Sequence, residues 1–571
     1  MVVLLHQASR FLRFIFLLIT IPQYVVTTSP HLNNIKPPGY TQLVQSILEQ
    51  SMHQVQSKEI EFAPSLNIDD RRIDDRMLNQ NGKNKYHDKT QSLRLYFETS
   101  PIEETISSLT DESLKEVGRN IVDEVLPTIA KEFHDAIYIQ PFAGIRLSNT
   151  VCYDLFSDYF AEEPTKEYPD GDAIIFVSAF HTINGEQWCN YDNLQLSTLA
   201  AASPCSLSRN NDRPVVGFIN VCLNAIQSKL GRSQDVNDVM SHEILHILIL
   251  NSELFKYYRN SVDGEPLTGR NWYRGFDSDA VKCVNGTFIK GIQVCKNTIS
   301  LREEAMTNGG GSSFTETRPY YEITLPTVRQ VARNQFNCQS MTGARLENQP
   351  TNPNDCTGSH FDERYFFSNV MSAVYIFGSV HFSPLLLALM EDSGWYKTNY
   401  RIAENGSFGL NAGCDFVNKD CIVNGNIPDY SEGYFCNDFY DFRSQYRCGP
   451  TRNYRGQCDL TRTSSFNEKT YFDSKLSGPM QFTLADWCPI VHLDREICND
   501  DSKCLELTLD ATPTALCVES FCNDETKQFV FHLGNSFFQC SMEDRGRKIQ
   551  IRHFGRLYEF NCPNLHQVCP K

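Results

Sequence analysis

The clearest chemistry in the chain lies in Ser241-His242-Glu243-Ile244-Leu245-His246-Ile247-Leu248. This run holds the pattern H-E-x-x-H inside an apolar stretch that reads as a helix. Residues four apart stand about one turn apart, so His242 and His246 project from one face. Two imidazoles placed this way can hold two corners of a tetrahedral zinc ion. Glu243, one position along, can take a proton from water and pass it to a departing amine, the metalloprotease use of this motif. The competing reading is an ordinary amphipathic helix whose histidines only pack.

A catalytic zinc takes three protein ligands and keeps one position open. Among the 14 histidines, His6, His31, His53 and His87 fall in the leading segment. His134, His181, His381, His492, His532, His553 and His566 lie in contexts typical of surface or satisfied core histidines. His360 differs, sitting in the turn-prone segment Cys356-Thr357-Gly358-Ser359-His360-Phe361-Asp362-Glu363. Met371 follows in Ser368-Asn369-Val370-Met371-Ser372-Ala373. A methionine beneath three imidazoles forms the Met-turn of metzincins, a soft floor that packs the ligands. Taken alone, Met371 reads better as an ordinary core residue.

The elements that must position these side chains are legible in outline. Leu93 to Phe97, Ala173 to Phe180 and Pro214 to Val221 read as strands, and Ser113 to Phe133 has helical spacing. The motif helix follows, with Ser233 or Asp235 as its expected N-cap. Strands ahead of that helix predict an α+β unit with helices packed on a twisted sheet. Residues 255–315 read as a long surface insertion, with a flexible loop at Asn308-Gly309-Gly310-Gly311-Ser312-Ser313. Pro326 to Phe336 reads as a helix.

At 571 residues the chain exceeds one compact core, and 41% apolar residues mark it as globular. A net charge of -17 without a basic stripe excludes nucleic acid as a partner. Residues 1–28 have the plan of a secretory signal, with Arg10 and Arg13 ahead of a short apolar core and small residues at Val26-Thr27-Thr28-Ser29. Residues 29–90 are polar and charged, and read as a pro-segment that is partly helical over Thr41 to Gln56. The 21 cysteines all lie at or after Cys152 and are densest from Cys414 to Cys569. Behind a signal sequence they read as disulfides of a secreted protein, the odd count leaving at least one thiol over. Asn285-Gly286-Thr287 and Asn405-Gly406-Ser407 are glycan acceptor triplets.

Taken together, these residues resemble leishmanolysin, a family of metzincin zinc endopeptidases. In that family the third zinc histidine comes many residues after the helix, in a Gly-Ser-His segment, with the Met-turn shortly behind. Gly358-Ser359-His360 and Met371 follow that order. Leu389-Met390-Glu391-Asp392-Ser393-Gly394-Trp395-Tyr396 resembles the family's closing helix and turn. Asn411-Ala412-Gly413-Cys414-Asp415-Phe416 resembles the start of its cysteine-rich domain. The resemblance implies that His242, His246 and His360 hold one Zn2+ per chain, with no other cofactor. Glu243 is then general base and afterwards acid, and Met371 is structural.

The resemblance further implies a metzincin-type α+β catalytic unit of twisted sheet and active-site helix over residues 91–254. A mostly helical central subdomain over 255–398 would carry the third ligand and the Met-turn, ahead of a disulfide-rich domain over 399–571. Substrate would lie extended beside an edge strand of the sheet. The expected protein is a secreted endopeptidase for protein or peptide substrates, without a membrane anchor after signal removal and of open oligomeric state; association with the cell surface is the alternative location. The alternative is a catalytically silent adhesion module on a peptidase scaffold.

Three departures from the family stand out. Ile249 replaces the glycine of H-E-x-x-H-x-x-G, and a β-branched residue resists positive φ. The helix is therefore expected to run on about two residues, with Asn251 as a left-handed cap. No cysteine precedes Cys152, so the family's propeptide-cysteine latch is not expected. The final residues, Asn561 to Lys571, carry no apolar lipid-anchor signal.

Overall fold

The computed structural model describes Ile21–Pro22 and residues 90–570 except 143, 149–151, 153–155, 157–164, 184–185, 188, 190–195, 231–232, 272–274, 277–278, 283–287, 295–296, 308–314, 348–358, 374–378, 440–444, 463–470, 473–476, 480–484, 535 and 554. The pro-segment apart from Thr90, nearly all of the signal segment, the Asn285 triplet, the glycine-rich loop and Gly358 therefore lie outside the described residues.

The part that positions the histidines opens with β1 (Leu95–Glu98), α1 (Glu112–Asn120) and α2 (Leu126–Ala136). It continues through β2 (Ala173–Ser178), β3 (Ala200–Leu207), β4 (Pro214–Val221) and the motif helix α3 (Ser233–Leu248). The strands form one sheet in the order β3-β4-β2-β1. β1, β2 and β4 run parallel, while β3 lies antiparallel to β4 at the edge. Both faces of the sheet are covered. Ile175, Val177, Ile219 and Val221 enter the large core shared with α2 and α3, and Ile174, Phe176, Val216 and Phe218 enter a second core on the other face. This is the period-two alternation of strands buried on both sides.

Helix α2 buries Leu126, Ile129, Phe133 and Ala136, a stripe at helical spacing. Between α1 and α2, Ile121–Val125 winds as a π-helix just ahead of Pro127, which has no N–H to donate. Helix α3 is buried all round from Asp235 to Leu248, so its polar residues lie inside the protein. It lies close on the sheet at Gly217, where a Cβ would fall 2.4 Å from Ile247 Cγ2. Only glycine allows that approach.

The chain then forms β5 (Ile299–Thr307) and β6 (Thr315–Ile323), a long antiparallel hairpin. It is followed by α4 (Pro326–Phe336), β7 (Ala344–Arg345) and α5 (Pro384–Asp392). Asp392 caps α4 from a distance, accepting from the backbone N–H groups of Thr327 (2.7 Å) and Val328 (3.0 Å). Further on, β8 (Ser502–Leu509), β9 (Thr512–Asn523), β10 (Gln528–Leu533), β11 (Ser536–Cys540), β12 (Lys548–His553) and β13 (Arg556–Asn561) form a six-stranded sheet in the order β11-β10-β9-β8-β13-β12. Nine disulfides join described cysteines. Cys152–Cys205 and Cys189–Cys222 brace the first sheet, Cys338–Cys414 ties the end of α4 to the later chain, and six more staple the region after Asn418. The result is a mixed helix and sheet protein with a disulfide-rich C-terminal part. Among the described residues, no helix is long and apolar enough to cross a membrane.

Several expectations need correction. The first strand begins at Leu95 instead of Leu93, after a separate short strand at Gln91–Ser92. The stretch 255–398 is not mostly helical, since strands and hairpins occupy much of it. Nor does it begin as a surface insertion, because Phe255, Tyr257 and Tyr258 are core residues. Ser233 is the first residue of α3 and Asp235 stands in its first turn, so neither is the flanking cap. Helix α3 closes at Leu248, and Asn251 is not among the residues with positive φ.

Why the helix needs no left-handed cap is visible in its last carbonyls. The hydroxyls of Tyr396 and Tyr258 donate to the carbonyls of Leu248 (3.1 Å) and Ile249 (2.9 Å). Two distant tyrosines thus satisfy groups that a glycine turn would otherwise serve. The Asn251 side chain instead accepts from Glu253 N–H at 3.0 Å.

One turn ahead of His242, Asp238 of α3 meets His381 Nε2 at 2.5 Å, while Glu132 of α2 lies 3.7 Å from His381 Nδ1. Burial pulls the His381 imidazole down, but these two carboxylates outweigh it and raise it from its ordinary 6.5 to about 9. A pKa raised by folding stabilises fully below the unfolded value, and that stability fades as pH rises through the folded value. His381→Gln is therefore expected to cost about 2 kcal/mol at pH 6, allowing for the half-exposed Glu132. The difference in unfolding free energy between variant and wild type should shrink by pH 9.5. A difference that does not change with pH would count against the ion-pair account.

Candidate metal centre

Three histidines from two distant stretches meet in the core. His242 and His246 come from α3, and His360 arrives from the segment after β7; all three are buried. One ring nitrogen from each lies within 4.8 Å of the others. The ring centroids stand 4.5, 5.2 and 4.9 Å apart.

Each Nδ1 has its own partner. His242 Nδ1 donates to the carbonyl of Val370 at 2.6 Å, and His246 Nδ1 donates to the carbonyl of Leu250 at 2.8 Å. A carbonyl can only accept, so these two rings carry their proton on Nδ1 and present a lone pair at Nε2. His360 Nδ1 meets Glu347 Oε2 at 2.8 Å. The Nε2 atoms of His242 and His246 stand 2.9 Å apart, and His360 Nε2 is buried without a hydrogen-bond partner among the described residues. Two lone pairs facing each other repel, and a buried acceptor without a donor is costly. A cation shared by the three nitrogens resolves both problems. Three neutral imidazoles are a donor set that fits a borderline-soft divalent metal.

The electrostatics agree with that use. Burial pushes His242 down to about 3, helped by the neighbouring His360 and opposed by the Val370 hydrogen bond. Burial also pushes His360 down to about 3 and His246 well below its ordinary value. All three stay neutral, as metal ligation requires. Glu243 is buried, its Oε1 has no hydrogen-bond partner among the described residues, and burial pushes its carboxyl up to about 8. Burial likewise raises Glu347 to about 8. A cation among the imidazoles acts in the opposite direction on both.

The turn around Met371 joins the two halves. Met371 is fully buried; its N–H donates to Asn369 Oδ1 (2.9 Å), and its carbonyl accepts from Phe361 N–H (3.0 Å). Phe361 also pairs with Ser372 in a parallel bridge. Val370, which holds the His242 ring, is therefore one residue from the carbonyl that anchors the His360 segment. A second tie runs from Ser252 N–H, just past α3, to Ser359 Oγ at 3.0 Å. The closing turn adds Gly394 at φ +76, where a Cβ would fall 2.5 Å from the Arg259 carbonyl oxygen. This turn places Tyr396 beneath the end of α3.

All five residues singled out from the sequence, His242, Glu243, His246, His360 and Met371, lie on α3 or on the segments packed against it. Sequence reasoning missed Glu347 and the carbonyls of Val370 and Leu250. Glu347 belongs to no motif, and a carbonyl leaves no mark in a sequence.

Comparison with known proteins bears on this arrangement. The family model described as Leishmanolysin, Peptidase_M8, matches residues 188–571, a stretch that contains all five residues. A leishmanolysin-like peptidase of Caenorhabditis briggsae is 34% identical over 236 residues, covering 39% of this chain and 32% of the relative. A leishmanolysin-like peptidase of Drosophila melanogaster is 30% identical over 344 residues, covering 58% and 47%. Leishmanolysin of Leishmania major is 21% identical over 485 residues, covering 79% and 68%. The chain spans between about a third and a half of the length of the worm and fly relatives. With the family model matched across two thirds of its length and a buried histidine trio inside the match, this chain belongs to the leishmanolysin family of metallopeptidases.

Proposed function

We propose that the chain is a secreted zinc-dependent endopeptidase of metzincin type, acting on protein or peptide substrates. His242, His246 and His360 hold the zinc, Glu243 is the general base, and Met371 is structural. The observation that carries this reading is the buried Nε2 of His360, without a partner among the described residues, beside the two facing lone pairs of α3. When bound, zinc supplies Lewis-acid polarisation of the scissile carbonyl and acidifies the attacking water. Glu243 Oε1 takes the proton from that water, and the same carboxyl later delivers it to the departing nitrogen. The carbonyls of Val370 and Leu250 hold the His242 and His246 rings by Nδ1.

Strand β3 forms the antiparallel edge of the sheet over which α3 packs, and we assign it to pairing with an extended substrate backbone. The stretches 91–254 and 255–398 would then form the catalytic unit, and 399–571 a cysteine-rich domain. Secretion is supported by the nine disulfides, which persist in oxidising compartments.

A casein digest with the purified protein tests the activity. Cleavage is expected to stop on treatment with a zinc chelator and to return on adding zinc. Digestion that persists in chelator would refute the metal mechanism. A zinc-loaded protein that cleaves nothing would favour the silent adhesion scaffold.

A further inference from the structure

We infer that Glu347 is the positioning residue of the third ligand: its carboxylate holds the His360 ring by Nδ1 and turns the Nε2 lone pair toward the other two histidines. The inference rests on the proposed reading of the three histidines as a metal site.

The geometry is specific to this one ligand. Glu347 Oε2 lies 2.8 Å from His360 Nδ1, and both residues are buried, 7% and 1% exposed. The other two rings are held by neutral carbonyls, those of Val370 and Leu250. Among the described residues, only His360 has a carboxylate on its Nδ1. An imidazole that gives its Nδ1 proton to a carboxylate is fixed in tautomer and more basic at Nε2, so it holds a cation more firmly.

The pairing is built into the backbone. Glu347 N–H donates to the His360 carbonyl at 3.1 Å, and Asp362 N–H donates to the Arg345 carbonyl at 3.1 Å. Between them, Leu346 and Phe361 form an antiparallel bridge. The stretches 345–347 and 360–362 are thus a short two-stranded ladder, with Glu347 and His360 neighbours across it. The ladder is itself clamped. The Arg345 guanidinium meets Asp362 Oδ2 at 3.0 Å and Asp486 Oδ2 at 3.2 Å, and lies over the Tyr320 ring at 4.1 Å. The disulfide-rich part of the chain, through Asp486, therefore helps to hold the strand that carries Glu347. Glu363, another buried carboxylate close by, is turned to a different task and accepts from Ala373 N–H at 2.5 Å.

The test uses the full chain loaded with zinc and, separately, with Co(II). Glu347→Gln keeps the shape and loses the charge; Glu347→Asp keeps the charge on a shorter stem; Glu363→Gln removes a buried carboxylate that touches no ligand. Zinc release to a chelator is expected to be about 10-fold faster or more in Glu347→Gln, with Glu347→Asp between it and wild type. The Co(II) visible bands should shift in both Glu347 variants and not in Glu363→Gln. A Glu363→Gln variant that releases zinc as fast as Glu347→Gln and shifts the bands as far would overturn the inference, because the effect would then not belong to the ring contact. Wild-type release rates and unshifted bands in both Glu347 variants overturn the inference. A wild-type protein that binds neither ion overturns the metal reading on which it rests, an outcome distinct from the first.

Discussion

Glu243→Gln is expected to abolish most peptide hydrolysis while the zinc content stays at that of the wild type. The substitution is nearly isosteric, and Glu243 makes no hydrogen bond through Oε1 to any described residue, so the core has little reason to rearrange. What changes is proton chemistry, because an amide cannot take a proton from water near neutral pH or return it to an amine. Loss of a positioned general base or acid costs roughly 10²- to 10⁴-fold in rate. The fall should appear in kcat, since no part of the metal set is touched. Metal analysis and casein cleavage on the same preparation decide the matter. A zinc-loaded Glu243→Gln variant that cleaves near the wild-type rate would remove Glu243 from the mechanism.

His360→Ala has the other large expected effect, and it falls on the metal itself. Removing one of three nitrogens leaves His242 and His246 with only half a tetrahedron. Affinity should fall by more than the roughly 10- to 100-fold that losing an outer partner of a ligand costs. Hydrolysis should fall with it. Glu347 would also lose its partner, leaving a buried carboxyl beside a cavity, so some loss of stability is expected too. Near-UV circular dichroism separates unfolding from simple metal loss. A folded variant that retains one equivalent of zinc through dialysis would exclude His360 from the ligand set.

These two residues also show how unevenly the site was written into the sequence. Glu243 was legible with His242 and His246 because one helix places them, and its 3.6-residue period is a local property of the backbone. His360 was legible only through a family pattern of segment and turn, since nothing in its neighbours states where they will fold. Glu347 was not legible at all. Its role depends on a ladder that brings residues 345–347 against 360–362, and a single glutamate in a loop-like sequence carries no sign of that pairing. The end of α3 was misjudged for a related reason. A local rule, that a helix without glycine takes asparagine as its left-handed cap, competed with Tyr258 and Tyr396, whose hydroxyls reach the last carbonyls from elsewhere in the chain. The expectation of a mostly helical middle failed where hairpins pair over residues 299–323, since strand pairing depends on a partner more than on local propensity.

By itself, then, the amino-acid order determined what is set by short range. That covers a helix with two imidazoles and a carboxylate on adjoining positions, apolar strands ahead of it, and cysteines enough to staple the later half. Only the tertiary structure decided that a third imidazole arrives at the same point, that carbonyls and one carboxylate orient the three rings, and that tyrosines close the helix. The physical reason is one of distance along the chain. A helical face follows from torsion angles repeated residue by residue, whereas a buried polar cluster exists only where packing brings remote groups together and leaves them no water to bind.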